Sequence, residues 1–279
     1  MKPALYPCLW FDGKAQEAAE LYVSLFRNSS IKSSNPMVSY FELDGNPFMA
    51  LNGGPEYQPN ASISFYVTLE DPEELENIWN ELMVEGEAFI PLGSYDWSEV
   101  YGWVQDRYGV TWQLSLGKVA EVRQSIVPLF MFCGDQQGKA EEAISFYRDV
   151  FNGTEEVFIA RYEPGQVKLE ASVVHARFKL NDQLFMVMDS AVPQPFTFNE
   201  GISMVISCDT QEEIDHYWNH FTEKGQEGVC GWCKDPFGVS WQVIPSMLGQ
   251  LMSNPEKAPR VGAAFMKMKK MEIETLVNA

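Results

Sequence analysis

Apolar and polar positions alternate along the chain in two rhythms, and the same succession of rhythms occurs twice. A short apolar run, Pro7 to Phe11, predicts a strand, and Pro128 to Phe132 predicts its counterpart. Next, Ala18, Leu21, Tyr22, Leu25 and Phe26 recur at the spacing of one helical face, as do Ala143, Phe146, Tyr147, Val150 and Phe151. Two alternating strands follow, joined by Asp44-Gly45-Asn46 or Asn181-Asp182-Gln183, tight turns suited to a hairpin. A further strand is predicted at Ile63 to Leu69 and at Ile202 to Cys208. A second helix then starts behind Asp71-Pro72 or Thr210, each an N-cap with acids in the first turn. A last hairpin closes on Asp106 to Gly109, or Asp235 to Gly238. The order is βαβββ with a second helix inserted, twice over, which predicts an α+β fold.

The words repeat as well as the rhythm. Of the twelve positions of Gly102 to Gln113, seven are identical in Gly231 to Gln242: two Gly, two Trp, Asp, Val and Gln. Average residue usage predicts about one such identity. Gly13-Lys14-Ala15 parallels Gly138-Lys139-Ala140, and Glu73-Glu74 through Trp79-Asn80 parallels Glu212-Glu213 through Trp218-Asn219. The chain therefore divides into module 1–118, module 126–247 and a tail, 248–279.

The 279 residues carry 39 Asp and Glu against 20 Lys and Arg, a formal charge of -19. Such a field repels a nucleic-acid backbone, and no basic run precedes the tail. An anionic membrane surface is disfavoured for the same reason. No apolar run approaches the ~20 residues of a membrane span, and no secretory leader is read at the start. Five Cys, an odd number, predict reduced thiols and a cytoplasmic setting.

Several segments resemble the vicinal-oxygen-chelate (glyoxalase/bleomycin-resistance) superfamily, and within it the PhnB-like, 3-demethylubiquinone 3-methyltransferase-like branch. They are Pro7-Cys8-Leu9-Trp10-Phe11-Asp12-Gly13, Trp97 to Trp103, His175-Ala176-Arg177-Phe178 and the two Asp-x-aromatic-Gly-Val-Ser/Thr-Trp-Gln hairpins. The resemblance implies tandem βαβββ modules that curl into a half-barrel around a cleft. In metal-using members the ligands sit on the first, third and last strands. Alternation along those strands predicts the cleft-facing residues. In the first module they are Tyr6, Cys8 and Trp10, then Ser64 and Tyr66, then Thr111, Gln113 and Ser115. In the second they are Val127, Leu129 and Met131, then Ser203 and Val205, then Ser240, Gln242 and Ile244. The superfamily's His, His and Glu positions thus fall near Tyr6 or Val127, at Ser64 or Ser203, and at Gln113 or Gln242. Ser and Gln are neutral, weak donors for a divalent transition metal, so neither a bound metal nor another cofactor is expected.

His175 and Arg177 share the strand face opposite Val174, Ala176, Phe178 and Leu180, so they point to cleft or solvent. A neutral His beside an Arg is a candidate base or hydrogen-bonding group, and this pair is the candidate catalytic set. Tyr6, Cys8, Trp10, Ser64, Tyr66, Trp97, Trp103, Gln113, Ser203 and Gln242 are the candidate ligand-binding residues. Trp10, Trp97, Trp103 and Trp112, with Tyr6 and Tyr66, are expected to crowd the cleft-lining strands of the first module and the loop before its last hairpin. An aromatic pocket with a few neutral polar groups suits a planar organic ligand. His216 and His220, four apart on one helix, read as a solvated face. Cys230-Gly231-Trp232-Cys233 reads as strand rather than redox motif, because residues three apart on a strand point to opposite faces.

In the tail, Pro259 opens a helix, and Ala263, Ala264, Met266, Met268 and Met271 give it an apolar surface. It is expected to dock on a module or on a second subunit, the latter giving a homodimer, with Lys267, Lys269 and Lys270 toward the acidic body. Three functions stay open: a metal-independent lyase or isomerase acting on a small metabolite, a non-catalytic binding or sequestration protein, and a methyltransferase. Against the last, Gly53-Gly54 is the one double glycine and does not open a helix.

Overall fold

A computed structural model describes residues 2–151 and 158–279. Met1 and 152–157, which fall inside the two expected modules, lie outside the described residues. The first repeat runs β1 (Ala4–Phe11), α1 (Ala15–Leu25), β2 (Ser30–Ser34), β3 (Val38–Leu43), β4 (Asn46–Asn52), β5 (Ile63–Leu69), α2 (Pro72–Leu82), β6 (Glu87–Tyr95), β7 (Ser98–Gln105) and β8 (Thr111–Leu116). After the short α3 (Val119–Val122), the second repeat runs β9 (Ile126–Phe132), α4 (Ala140–Val150), β10 (Phe158–Arg161), β11 (Val173–Leu180), β12 (Gln183–Asp189), β13 (Ile202–Cys208), α5 (Gln211–Thr222), β14 (Gln226–Glu227), β15 (Trp232–Lys234) and β16 (Ser240–Pro245). The tail holds α6 (Leu248–Ser253), α7 (Ala258–Phe265) and α8 (Ile273–Val277).

Each repeat is thus two βαβββ units in succession, not one unit with an extra helix. The strands missing from the expectation are edge strands such as β2, Ser-Ile-Lys-Ser-Ser, whose polar sequence carries no core-facing alternation. The turn between β3 and β4 has both central residues, Asp44 and Gly45, at positive φ, the geometry that matches strand twist in a two-residue hairpin. Asp71 caps α2 by accepting from the Glu73 N–H at 2.9 Å, and Thr210 and Glu213 form a reciprocal capping box on α5.

The repeats interleave. One eight-stranded sheet has the order β14-β15-β16-β13-β1-β4-β3-β2, and the other β10-β11-β12-β9-β5-β8-β7-β6. Each sheet therefore joins the first unit of one repeat to the second unit of the other. The seams are antiparallel β1–β13, with Cys8 opposite Ser203, and β5–β9, with Ser64 opposite Leu129. The helices and one face of each sheet share a common core, in which Phe48 of the first sheet meets Phe65 of the second at 5.1 Å between ring centroids. The opposite face of each sheet carries its own smaller apolar cluster, around Cys8 and Val205 in the first sheet and around Val127 and Leu129 in the second.

The repeated hairpin word has a structural cause. Asp106 is buried and accepts four hydrogen bonds, from the Tyr22 hydroxyl (2.7 Å), the Trp112 indole (2.9 Å) and the backbone N–H groups of Tyr108 (2.8 Å) and Val110 (3.1 Å). Asp235 repeats the pattern with Tyr147, Trp241, Phe237 and Val239. Burial pushes the Asp235 carboxyl up to about 6 against the pull of those donors.

The tail packs on the second repeat. Val261, Met271 and Leu276 are fully buried, and the Cys230 and Gly231 N–H groups donate to Met268 and Lys269 carbonyls. Lys269 pairs with Glu227 at 3.0 Å and Lys270 with Asp215 at 2.6 Å. Met266, expected on the apolar side, is mostly exposed.

Candidate functional site

The interleaved sheets regroup the residues that alternation assigns to a cleft. Tyr6, Cys8 and Trp10 share a sheet face with Ser203 and Gln242, whereas Ser64, Tyr66, Trp103 and Gln113 share the other sheet with Val127, Leu129 and Met131. A single aromatic cleft within the first module is therefore not what forms. Trp112, on the opposite face of β8 from Thr111 and Gln113, points to the common core, fully buried against Tyr22 and Phe26.

In the first sheet, Gln242 Nε2 donates to Ser203 Oγ at 3.0 Å, and both side chains hydrogen-bond Cys8. Burial pushes the Cys8 thiol up to about 12, so it is a neutral packing group. The Tyr6 hydroxyl is likewise raised by burial. Trp10 sits at the end of this face, its indole donating to Gly54 O at 2.8 Å and its ring meeting Trp232 edge-on at 5.7 Å.

The second sheet holds the richer face. Its floor is apolar: Leu129, Met131 and Met186 are buried together with Val127. Along one wall Tyr101 donates to Gln113 Oε1 at 2.7 Å, and Gln113 Nε2 donates to Ser64 Oγ at 2.9 Å. Trp103, beside Gln113 in the ladder, is 8% exposed, and its buried indole N–H finds no partner among the described residues. An aromatic series leads from outside to floor: Trp97, 67% exposed on the β6–β7 turn, stacks on Tyr95 at 4.9 Å and meets Tyr101 at 6.0 Å. Tyr101 in turn lies 6.4 Å from Tyr66.

The opposite wall is β11. His175 and Arg177 are half-buried on the cleft side of that strand. The His175 and Tyr66 rings approach to 6.3 Å although β11 and β5 are three strands apart, which in a flat sheet would be about 14 Å. The sheet curls until its walls face one another. Burial, and secondarily Arg177, pushes His175 down to about 4, so it is neutral at pH 7. Neither His175 ring nitrogen is hydrogen-bonded among the described residues, and no carboxylate pairs with Arg177 there. The Arg177 guanidinium lies over the Phe158 ring at 5.4 Å.

Tyr101, Tyr95 and Met186 are cleft residues that sequence reasoning did not single out. Tyr101 was within reach, because it shares the alternation of Trp103. His216 is also more than solvated surface: its Nε2 meets the Val150 carbonyl at 2.7 Å, tying α5 to the end of α4. Cys230 lies in a left-handed turn before β15 rather than on a strand, and all five cysteines are free.

The metal expected at this place in the superfamily does not fit either face. The residues at the ligand positions are Ser, Gln, Val and a Tyr whose hydroxyl burial keeps protonated, and the Gln amides are engaged with the Ser hydroxyls. Among the described residues no three His, Cys, Asp or Glu side chains cluster to hold a cation.

The curled, paired sheets are those of a glyoxalase-type fold. Glyoxalase I from Zea mays superposes with a TM-score of 0.55 over 90% of this chain and 96% of that chain at 13% identity, and a point mutant of the same enzyme with 0.56 over 88% and 93%, also at 13%. At that identity the likeness shows the fold alone. The sequence matches the 3-demethylubiquinone-9 3-methyltransferase family over residues 3–115 and 124–244, once per repeat, and the chain belongs to that PhnB-like family. A Bacillus cereus protein described as a putative 3-demethylubiquinone-9 3-methyltransferase, PhnB protein, is 36% identical over 39% of this chain and 96% of its own, with a TM-score of 0.38. No curated protein matches the sequence. No helix among the described residues is long and apolar enough to cross a membrane.

Proposed function

We propose that the curled face of the second sheet binds a small planar organic molecule, with His175 and Arg177 as its chemical end. The convergence of His175 on Tyr66 across an apolar floor carries this reading. Tyr66, Tyr101 and Trp103 supply flat apolar contact, and Leu129 and Met186 a floor that adapts to shape. Arg177 supplies the charge that fixes orientation. A neutral His175 with both ring nitrogens available is suited to accept or donate one proton at the bound molecule. The five free thiols suit a cytoplasmic protein.

Methyl transfer, the activity in the family's description, finds less support. Gly53 is pinned beneath Trp10, where a Cβ would come within 2.2 Å of the indole, and Gly54 spends its carbonyl on the same ring. That glycine pair is therefore a packing device rather than a cofactor loop.

The test is a thermal-shift and calorimetric screen of planar organic acids and ketones against wild type and Arg177→Leu. Stabilisation of the wild type by at least one compound, lost in the variant, is the expected result. No binding by any compound would overturn the reading.

A further inference from the structure

The two repeats place the same Ser–Gln pair on both curled faces but complete it differently. In the first sheet the residue opposite Ser203 is Cys8, which hydrogen-bonds the serine side chain. In the second sheet the residue opposite Ser64 is Leu129. Ser64 Oγ accepts from Gln113, and its own hydrogen meets no acceptor among the described residues. The partnerless indole N–H of Trp103 is next to Gln113 on the same face. Two neutral donors thus flank one glutamine, and an unused buried donor costs free energy until a ligand supplies an acceptor.

The ladder registers place a complement to those donors. Arg177 pairs with Met186, Met186 with Leu129 and Leu129 with Ser64, so the four lie in one row across four strands. A cation stands at one end, a hydroxyl donor at the other, and apolar floor between. We propose that Ser64 and Trp103 form an oxygen-acceptor subsite for the ligand, and that the ligand class is an aromatic carboxylate with a carbonyl or similar acceptor at its far end. The carboxylate meets Arg177, the ring lies over Leu129 and Met186, and the far oxygen receives the two donors. In the first sheet the Ser203–Gln242 pair is already completed by Cys8 and offers no such subsite.

This proposal rests on the planar-ligand reading, and the probes separate the two. Affinities of 4-acetylbenzoate, benzoate and acetophenone are measured by calorimetry on the full chain. The expected order is 4-acetylbenzoate tightest, by roughly five- to tenfold over benzoate, the worth of one or two net hydrogen bonds. Ser64→Ala and Trp103→Phe should each shrink that ratio toward one. Leu129→Cys, which rebuilds the first sheet's arrangement and gives Ser64 a thiol acceptor, should shrink it too without removing any donor. A wild-type ratio near one, with both acids bound, would refute the acceptor subsite and leave the cleft intact. A ratio that survives in both donor variants would refute it as well. Failure of all three probes to bind would overturn both readings.

Discussion

Tyr22 donates its phenolic hydrogen at 2.7 Å to Asp106, 84 positions further along the chain, and Tyr147 repeats the bond to Asp235 at 2.7 Å. Each bond fastens the first helix of a repeat to that repeat's last hairpin, and so fastens one sheet to the other. Removing either hydroxyl leaves a buried carboxylate short of one of its four donors. Tyr22→Phe and Tyr147→Phe should each cost about 1–3 kcal/mol of stability, measured by urea denaturation. Values near zero would show that the hairpin words are held by packing alone.

His175 makes acid stability its own test. Its folded pKa, about 4, lies below the ordinary 6.5, so between those values the unfolded chain binds a proton that the folded chain does not. Stability due to this group is complete above pH 6.5 and falls as pH drops toward 4. Asp235, raised to about 6, acts in the opposite sense over the same range, so the variant rather than the raw curve is informative. Between pH 7 and pH 4.5, His175→Phe should lose less stability to urea than wild type does, by about 1–3 kcal/mol. Equal losses would mean that the histidine titrates normally.

The donor sets predict the response to metals. Purified protein should carry zinc, nickel, iron or manganese well below one per chain by elemental analysis, and chelator should leave its melting temperature unchanged. One firmly held metal per chain would contradict the fit argued from Ser64, Gln113, Ser203 and Gln242.

Deleting residues 255–279 should strip Val261, Met271 and Leu276 from the second repeat and release the Lys270–Asp215 pair. At about 1.5–3 kcal/mol for each large apolar side chain, the melting temperature should fall by roughly 5 °C or more. An unchanged transition would show that the tail is only loosely held.

Which residues share one face of a strand was legible in the sequence, because side-chain direction follows a period of two within each strand. Which partners they meet on that face was not. Cys8 and Ser64 read alike along the chain, but their seam partners, Ser203 and Leu129, are set by pairing between strands of different repeats. No local pattern encodes such pairing. The N-caps Asp71 and Thr210 were legible because capping is local chemistry. The polar strand β2 was not, because an edge strand needs no buried face. The face of Tyr101 follows from the alternation it shares with Trp103, but its role depends on Gln113, a partner it meets only across the hairpin.

The seams also change what the linker between the repeats does. Because β1 closes on β13 and β5 on β9, a repeat cut free would leave both its open edges unpaired and would need a complement from another molecule. The segment 117–125 then acts as a tether that raises the effective concentration of two halves already shaped to clasp. Severed there, the halves still share both seams, so the covalent join governs how fast they find each other more than how they fit.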